Sequence, residues 1–217
     1  MISKRASSIF MLAPMNAHHS SLPWNPDPAE VPLLDKFLPL WDVREWHELR
    51  VSAPADRAFS ALRNLDVNRA PVVKALFWLR SIPSRFSRTA ALPASKPRSL
   101  LEDALSVGWV VLDEIPGQQI AVGAVTRPWE GVVRFQGLPG PELRAFRAPG
   151  FVKIVWGFSV RALEGGACVL GTETRVLATD ELSRRRFGRY WWFFGFFIRL
   201  IRVISLRLAK EDLEARP

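Results

Sequence analysis

Polar and hydrophobic residues alternate along several stretches of the chain, and this alternation predicts β-strands. It is clearest over 151–163 and 167–179, which predict two long strands joined by a turn at residues 164–166. Residues 109–117 and 118–129 predict a second hairpin around a Pro-Gly turn. Single strands are predicted at the other alternating stretches, residues 47–52 and 131–135.

Helices are predicted where apolar residues recur every three or four positions. One begins near Pro54, a second covers about 71–80, and a third covers about 99–107 and ends at Gly108. The last runs from Asp180 to Arg216, a segment without proline.

The order of these elements predicts an α+β protein, because a run of antiparallel strands followed by one long helix can bury both only if the helix lies across a sheet face. We divide the chain into an irregular, proline-rich N-terminal extension, residues 1–43, and one domain, residues 44–217. The extension still carries Leu34, Phe37, Leu38 and Trp41, so we expect part of it to pack on the domain.

The last helix is amphipathic when it is drawn at 100° per residue. Its predicted apolar face consists of Phe187, Tyr190, Trp191, Phe194, Phe197, Ile198, Ile201, Ile204 and Leu208. Its predicted polar side holds the basic residues Arg184, Arg189, Arg199, Arg202, Arg207 and Lys210. Arginines inside the apolar run cost about 2.5 to 3.5 kcal/mol each on insertion, so a membrane span is not favoured. Apolar residues also fall among the arginines, and we expect the N-terminal extension to cover them: Trp192, Phe196, Leu200 and Val203.

The net charge of +9 admits nucleic acid or anionic lipid as a partner. The codon usage of a GC-rich genome would also produce an excess of arginine, and no nucleic-acid-binding motif is present. Nucleic acid is therefore not predicted as a partner.

Cys168 is the only cysteine and is expected to be a buried, inert thiol. No catalytic triad, metal site or cofactor motif is recognisable. The apolar patch near Met1 is too short for a signal peptide, which predicts a cytoplasmic protein.

Five segments resemble the START-like, birch-pollen-allergen-like superfamily, also called SRPBCC, and in particular a bacterial branch of it. They are VSAPADRAF (51–59), PLWDVREWHELRV (39–51), FRAPGFVKIVWGFSV (146–160), GTETRV (171–176) and RYWWFF (189–194). The resemblance covers roughly residues 39–212. It implies the helix-grip fold, in which a curved antiparallel sheet wraps a long C-terminal helix around a hydrophobic cavity. The superfamily includes lipid and sterol carriers, polyketide cyclases and dehydratases, and hormone sensors, so the resemblance implies a cavity more than a chemistry.

Alternation and the resemblance together predict which side chains would line such a cavity. From the strands they are Ile120, Val122, Ile154, Trp156, Phe158, Thr172 and Thr174, and from the last helix Tyr190, Phe194, Ile198 and Ile201. Polar residues at a rim would be Arg127, Trp129, Glu173 and Arg175, although alternation places the last pair on the opposite sheet face as exposed charges unless a bulge turns them inward.

The predicted function is non-catalytic binding or carriage of a hydrophobic or amphipathic, lipid-like small molecule, with no cofactor. Two alternatives stay open: an enzyme of polyketide cyclase or dehydratase type, and a peripheral membrane or protein-interaction module. A membrane surface is the less favoured partner, and the sequence does not give the oligomeric state.

Overall fold

The computed structural model describes residues 32–70 and 99–215; the predicted helix at 71–80 lies outside these ranges. The α-helices are α1 (Ala55–Arg63), α2 (Leu100–Ser106), α3 (Gly140–Ala145) and α4 (Glu181–Glu214). The strands are β1 (Val43–Val51), β2 (Val110–Ile115), β3 (Gln119–Thr126), β4 (Phe135–Gln136), β5 (Val152–Ala162) and β6 (Cys168–Ala178). Short 3-10 helices lie at Pro32–Lys36, Val67–Arg69 and Glu164–Gly166.

All six strands form one antiparallel sheet in the order β1-β6-β5-β3-β2, and β4 pairs with the end of β3. Both predicted hairpins are confirmed. The turn between β5 and β6 uses Gly165 and Gly166 at φ 78° and 76°, a backbone region that favours glycine. The strand predicted over 131–135 is wrong for most of its length, because only Phe135 of that stretch pairs in the sheet.

The sheet is covered on both faces, because consecutive side chains of a strand point to opposite sides. We call the face that contacts α4 the inner face. It buries Val122 and Phe158 against Phe59 of α1 and against Leu206 and Ala209 of α4, within one continuous core. This arrangement of a long helix across an antiparallel sheet confirms the α+β helix-grip fold.

The other face, the outer face, is covered by the chain before β1. Leu34 and Leu38 are fully buried there against Val155 and Leu143. The prediction that the hydrophobic residues of the extension pack on the domain is therefore confirmed for this segment, but the predicted location on α4 is wrong. The boundary between extension and domain at residue 43 stays a prediction.

The side of α4 that packs on the protein overlaps the predicted apolar face only in part, since Phe187, Tyr190, Trp191, Ile204 and Leu208 pack there as predicted. The buried side of the helix also includes residues outside the predicted face, Gly195, Ser205, Leu206, Ala209 and Leu213, and Arg202 lies over Trp156. A side chain at Gly195 would approach within 2.9 Å of Trp191 on the same helix, so Gly195 leaves room for that ring, and Ala209 is fully buried. The side of the helix that packs on the protein therefore includes arginines that the sequence pattern assigned to solvent.

Candidate ligand site between the sheet and the last helix

The inner face meets α4 in two parts that differ in burial. Along the C-terminal half of the helix, the predicted site residues Ile120, Val122 and Phe158 belong to the closed core. From the N-terminal half to just past the middle of the helix, the predicted residues are each only partly buried: Ile154, Tyr190, Phe194, Ile198 and Ile201. The structure therefore divides the predicted site, and we call the partly buried part, with the strand residues facing it, the open interface.

Polar residues of three neighbouring strands line the sheet side of the open interface. Antiparallel pairing places Glu45 opposite Thr174 and Thr174 opposite Trp156. His47 lies two residues after Glu45, so it shares the same face, and it stands opposite Thr172. The strand register alone thus brings these five side chains into two adjacent rows.

Arg199 of α4 closes one side of this polar group. Its Nη2 and Nε lie 2.7 and 3.3 Å from the two carboxylate oxygens of Glu45, and this paired hydrogen bonding raises the pKa of Arg199. The prediction that Arg199 lies on the wet side of the helix is wrong, because it reaches across to the inner face of β1.

Arg202, one turn further along α4, lies over the indole ring of Trp156, with its guanidinium carbon 4.3 Å from the ring centroid. Among the described residues no carboxylate forms an ion pair with it. Burial lowers the pKa of Arg202 to about 9, which still leaves the guanidinium charged at neutral pH. The predicted solvent-facing position of Arg202 is also wrong.

Two buried polar atoms on this face of the sheet have no hydrogen-bond partner within the described part of the chain: Nε2 of His47 and Oγ1 of Thr174. The carboxylate of Glu45 approaches His47 Nε2 only to 3.6 Å. Burial is the main cause that lowers the pKa of His47; Glu45 raises it, and Arg199 and Arg202 lower it. His47 is therefore neutral at pH 7.

Thr172 differs from Thr174 because its hydroxyl is fully used. It accepts a hydrogen bond from Trp156 Nε1 at 3.0 Å and donates one to the Gly157 carbonyl at 3.0 Å. This pair fixes the orientation of the Trp156 ring beneath Arg202. Thr172 is therefore a positioning residue, whereas the hydroxyl of Thr174 has no hydrogen-bond partner within the described chain.

The open interface combines partly buried apolar side chains with a small, positively charged polar group. Glu45 neutralises one of the two arginines, His47 is neutral, and the group keeps one positive charge. An apolar surface with a few convergent polar groups is what small-molecule sites commonly present.

The predicted rim residues Arg127 and Trp129 lie at the end of β3. Arg127 donates from Nε to the Gly150 carbonyl at 3.1 Å, pairs with Glu130, and covers the ring of Phe151. Trp129 packs near Phe187. Both residues therefore hold the end of the sheet together, and their role towards a ligand stays a prediction.

Glu173 and Arg175 point to the outer face, as alternation predicted, but the expectation that they are exposed is wrong. Both side chains are fully buried. Arg175 donates to Glu173, to the carboxylate of Asp35 and to the carbonyl of Leu38. The sheet separates this pair from the open interface.

The N-terminal half of α4 also carries a group of exposed aromatic side chains on its far side. Trp192 is 74% exposed, Phe193 64% and Phe196 63%. They share this surface with the exposed Arg185 and Arg189, and we call these five residues the helix patch.

The alternation along β1 is a sequence signal for two residues of the polar group. The alternation that places Leu49 and Val51 inward places His47 and Glu45 inward when it is extended back along β1. Arg199 and Arg202 gave no such signal, because the rotation of α4 is fixed only by packing.

Cys168 is buried in the core, as predicted, and burial raises the pKa of its thiol. Among residues 32–70 and 99–215, no group of three or more histidine, cysteine or carboxylate side chains is placed to hold a metal ion. Over the same ranges, no helix combines the length and the hydropathy that crossing a membrane requires.

No protein-family model matches the chain, and no curated protein is significantly similar to it.

Several solved structures are similar to it at low sequence identity. A conserved protein from Geobacillus kaustophilus is 12% identical, with a TM-score of 0.38 over 80% of this chain and 96% of the other. A protein from Rhizobium loti is 12% identical, with a TM-score of 0.32 over 76% and 96%. The Zhui aromatase/cyclase from Streptomyces sp. R1128 is 12% identical, with a TM-score of 0.30 over 80% and 94%. The fold assignment rests on the sheet and helix described above.

Proposed function

We propose that this protein binds a hydrophobic or amphipathic small molecule at the open interface and releases it unchanged. The observation that carries the proposal is that the contact between sheet and helix is tightly packed around Leu206 but only partly buried around Ile154 and Ile198. Tight packing is the norm for protein interiors, so a partly open apolar contact next to unpartnered polar atoms favours a binding surface. A cytoplasmic location stays part of this proposal.

A neutral hydrophobic dye tests the proposal directly. N-phenyl-1-naphthylamine should bind saturably with one site per chain, and Phe194→Ala should weaken that binding severalfold because it removes a partly buried wall. Phe193→Ala is the matched control, since the neighbouring ring is 64% exposed on the other side of the helix. An absence of saturable binding, or equal losses in the two variants, would contradict the proposal.

Native mass spectrometry of freshly purified protein adds an independent measurement. A co-purified hydrophobic molecule that is recovered without chemical change supports carriage.

The enzyme alternative, of polyketide cyclase or dehydratase type, would depend on His47. It is a titratable side chain facing the open interface, it is neutral at pH 7, and its Nε2 has no hydrogen-bond partner among the described residues. Conversion of a bound aromatic or polyketide probe by the native protein, abolished by His47→Gln with binding intact, would favour this alternative over carriage.

The helix patch favours a second candidate function, attachment to an anionic membrane surface. Exposed tryptophan and phenylalanine beside arginine are the residues that insert at the headgroup level of a bilayer. The protein should sediment with phosphatidylserine-containing vesicles and less so at high salt. Trp192→Ala should reduce that sedimentation, whereas Val111→Ala, at an exposed apolar position on β2, should not. Sedimentation that is insensitive to Trp192→Ala would exclude the helix patch.

A further inference from the structure

We infer that the ligand of the open interface carries one carboxylate and that Arg202, His47 and Thr174 bind it beneath α4. This inference rests on the proposed binding function and specifies its ligand as a hydrophobic monocarboxylic acid.

The first step is the charge of Arg202. Arg199 is satisfied by both oxygens of Glu45, whereas the described neighbour of Arg202 is the face of Trp156. A cation over an aromatic ring is stabilised by the ring, but the N–H groups at the edge of the guanidinium still need acceptors. Removing a cation from water without a counter-charge is costly. A carboxylate from the ligand would supply both the acceptors and the charge.

The second step is the presence of two further hydrogen-bonding groups at the same place. Thr174 is 6% exposed, and its Oγ1 is unpartnered within the described chain. It stands opposite Trp156 in the sheet, on the strand next to the residue whose ring Arg202 covers. Nε2 of His47, the other unpartnered atom, lies on the adjacent row of the sheet. Buried polar atoms in proteins are normally hydrogen-bonded, so two beside an unpaired cation point to an occupant.

The third step is the number of charges on that occupant. The polar group keeps one positive charge after Glu45 is counted, and the Glu45 carboxylate lies 3.6 Å from His47 Nε2. A phosphate with two negative charges would exceed the available positive charge and face Glu45. A carboxylate matches it, and the apolar residues Ile154 and Phe194 give its hydrocarbon part a wall.

The test compares decanoate with decanol, which share a hydrocarbon chain and differ in charge. Each competes with N-phenyl-1-naphthylamine for the native protein and for Arg202→Met, which keeps the length of the side chain and removes its charge. Arg207→Met, at an exposed position on the same helix, is the matched control. Decyl phosphate is tested in the same competition assay, to show whether the site prefers a carboxylate or a phosphate.

We expect decanoate to bind at least tenfold more weakly to Arg202→Met, about the loss of a charge-assisted hydrogen bond, and decanol to be changed less than threefold. Arg207→Met should leave both unchanged, and Arg202→Lys should restore part of the decanoate affinity. Thr174→Val should weaken decanoate severalfold without lowering the melting temperature, because no protein hydrogen bond is lost. If Arg202→Met fails to fold, Thr174→Val tests the inference in its place.

Each outcome separates this inference from the proposed function. If the dye and decanol bind but decanoate has no advantage that depends on Arg202, the carboxylate inference is overturned and the binding function stands. Tighter binding of decyl phosphate than of decanoate overturns the carboxylate assignment. If neither the dye nor decanol binds the native protein, the binding function itself fails.

Discussion

Glu173 and Arg175 form an ion pair on the outer face of β6, with Oε1 and Nε 2.5 Å apart and both side chains fully buried. Glu173 Oε1 also lies 2.8 Å from Nε of Arg44, and the ring of Trp41 lies near both arginines. Because the chain before β1 supplies Asp35 as a further partner of Arg175, this ion-pair group joins the N-terminal segment to the sheet.

Replacing Glu173 with alanine should destabilise the fold strongly. The change leaves the buried Arg175 with a single carboxylate partner, and breaking a buried pair in this way costs about 3 to 5 kcal/mol. Urea denaturation measures the free energy of unfolding. Glu164→Ala, at the exposed β5–β6 turn, is the control and should stay within about 0.5 kcal/mol of the native protein. Equal stability of the two variants would show that the pair is not buried.

The chain before β1 should contribute to stability through Leu34. This side chain is completely buried against the outer face, so Leu34→Ala should lower the free energy of unfolding by about 2 to 5 kcal/mol. Leu40→Ala, six residues on and 55% exposed, is expected to have almost no effect. If Leu34→Ala proved as harmless as Leu40→Ala, the segment would not be packed on the sheet.

His47 should make the protein less stable in mild acid. Its pKa is lowered in the fold from the ordinary 6.5, chiefly by burial, while Glu45, Arg199 and Arg202 face it. As the pH falls through 6.5 the unfolded chain therefore takes up the proton first, and stability decreases. The melting temperature of the native protein should drop relative to that of His47→Gln between pH 7 and 5. A difference between the two that does not change with pH would contradict the prediction.

Asp180 should act in the same direction as His47 but at lower pH. It caps α4 by accepting from the backbone N–H and hydroxyl of Ser183, and it also accepts from the N–H of Gly150. These hydrogen bonds, that of Gly150 first, hold its pKa far below the ordinary 3.8. Its stabilising contribution is present above pH 3.8 and is lost as the pH falls below it. The melting temperature of Asp180→Asn should therefore lie below that of the native protein at pH 7, and the gap should narrow in acid.

Local patterns predicted the fold well because they depend on neighbouring residues. The β5–β6 hairpin, the inward faces at Trp156 and Thr174, and the long final helix all follow from periods of two and 3.6 residues. The prediction of a strand over 131–135 was wrong because two adjacent valines among turn residues fit the strand pattern, but most of this stretch does not pair with another strand.

The candidate site was predicted only in part. Ile154 and Thr174 lie on the sheet side of the open interface and Ile198 on its helix side, as predicted. Glu173 and Arg175 lie on the outer face of the sheet instead. Residues that carry the charge of the site, Arg199 and Arg202, were assigned to solvent. The sequence around an arginine in an apolar helix does not show whether its side chain will contact water or an aromatic ring.

The sequence by itself determined the order of the strands and helices and which side chains of each strand share a face, because alternation is a property of the local backbone. Only the tertiary structure decided how far α4 is rotated and where the chain before β1 lies. Both depend on which surfaces fit closely: Ala209 is fully buried in the core, Gly195 leaves room for the Trp191 ring, and Arg202 packs on Trp156.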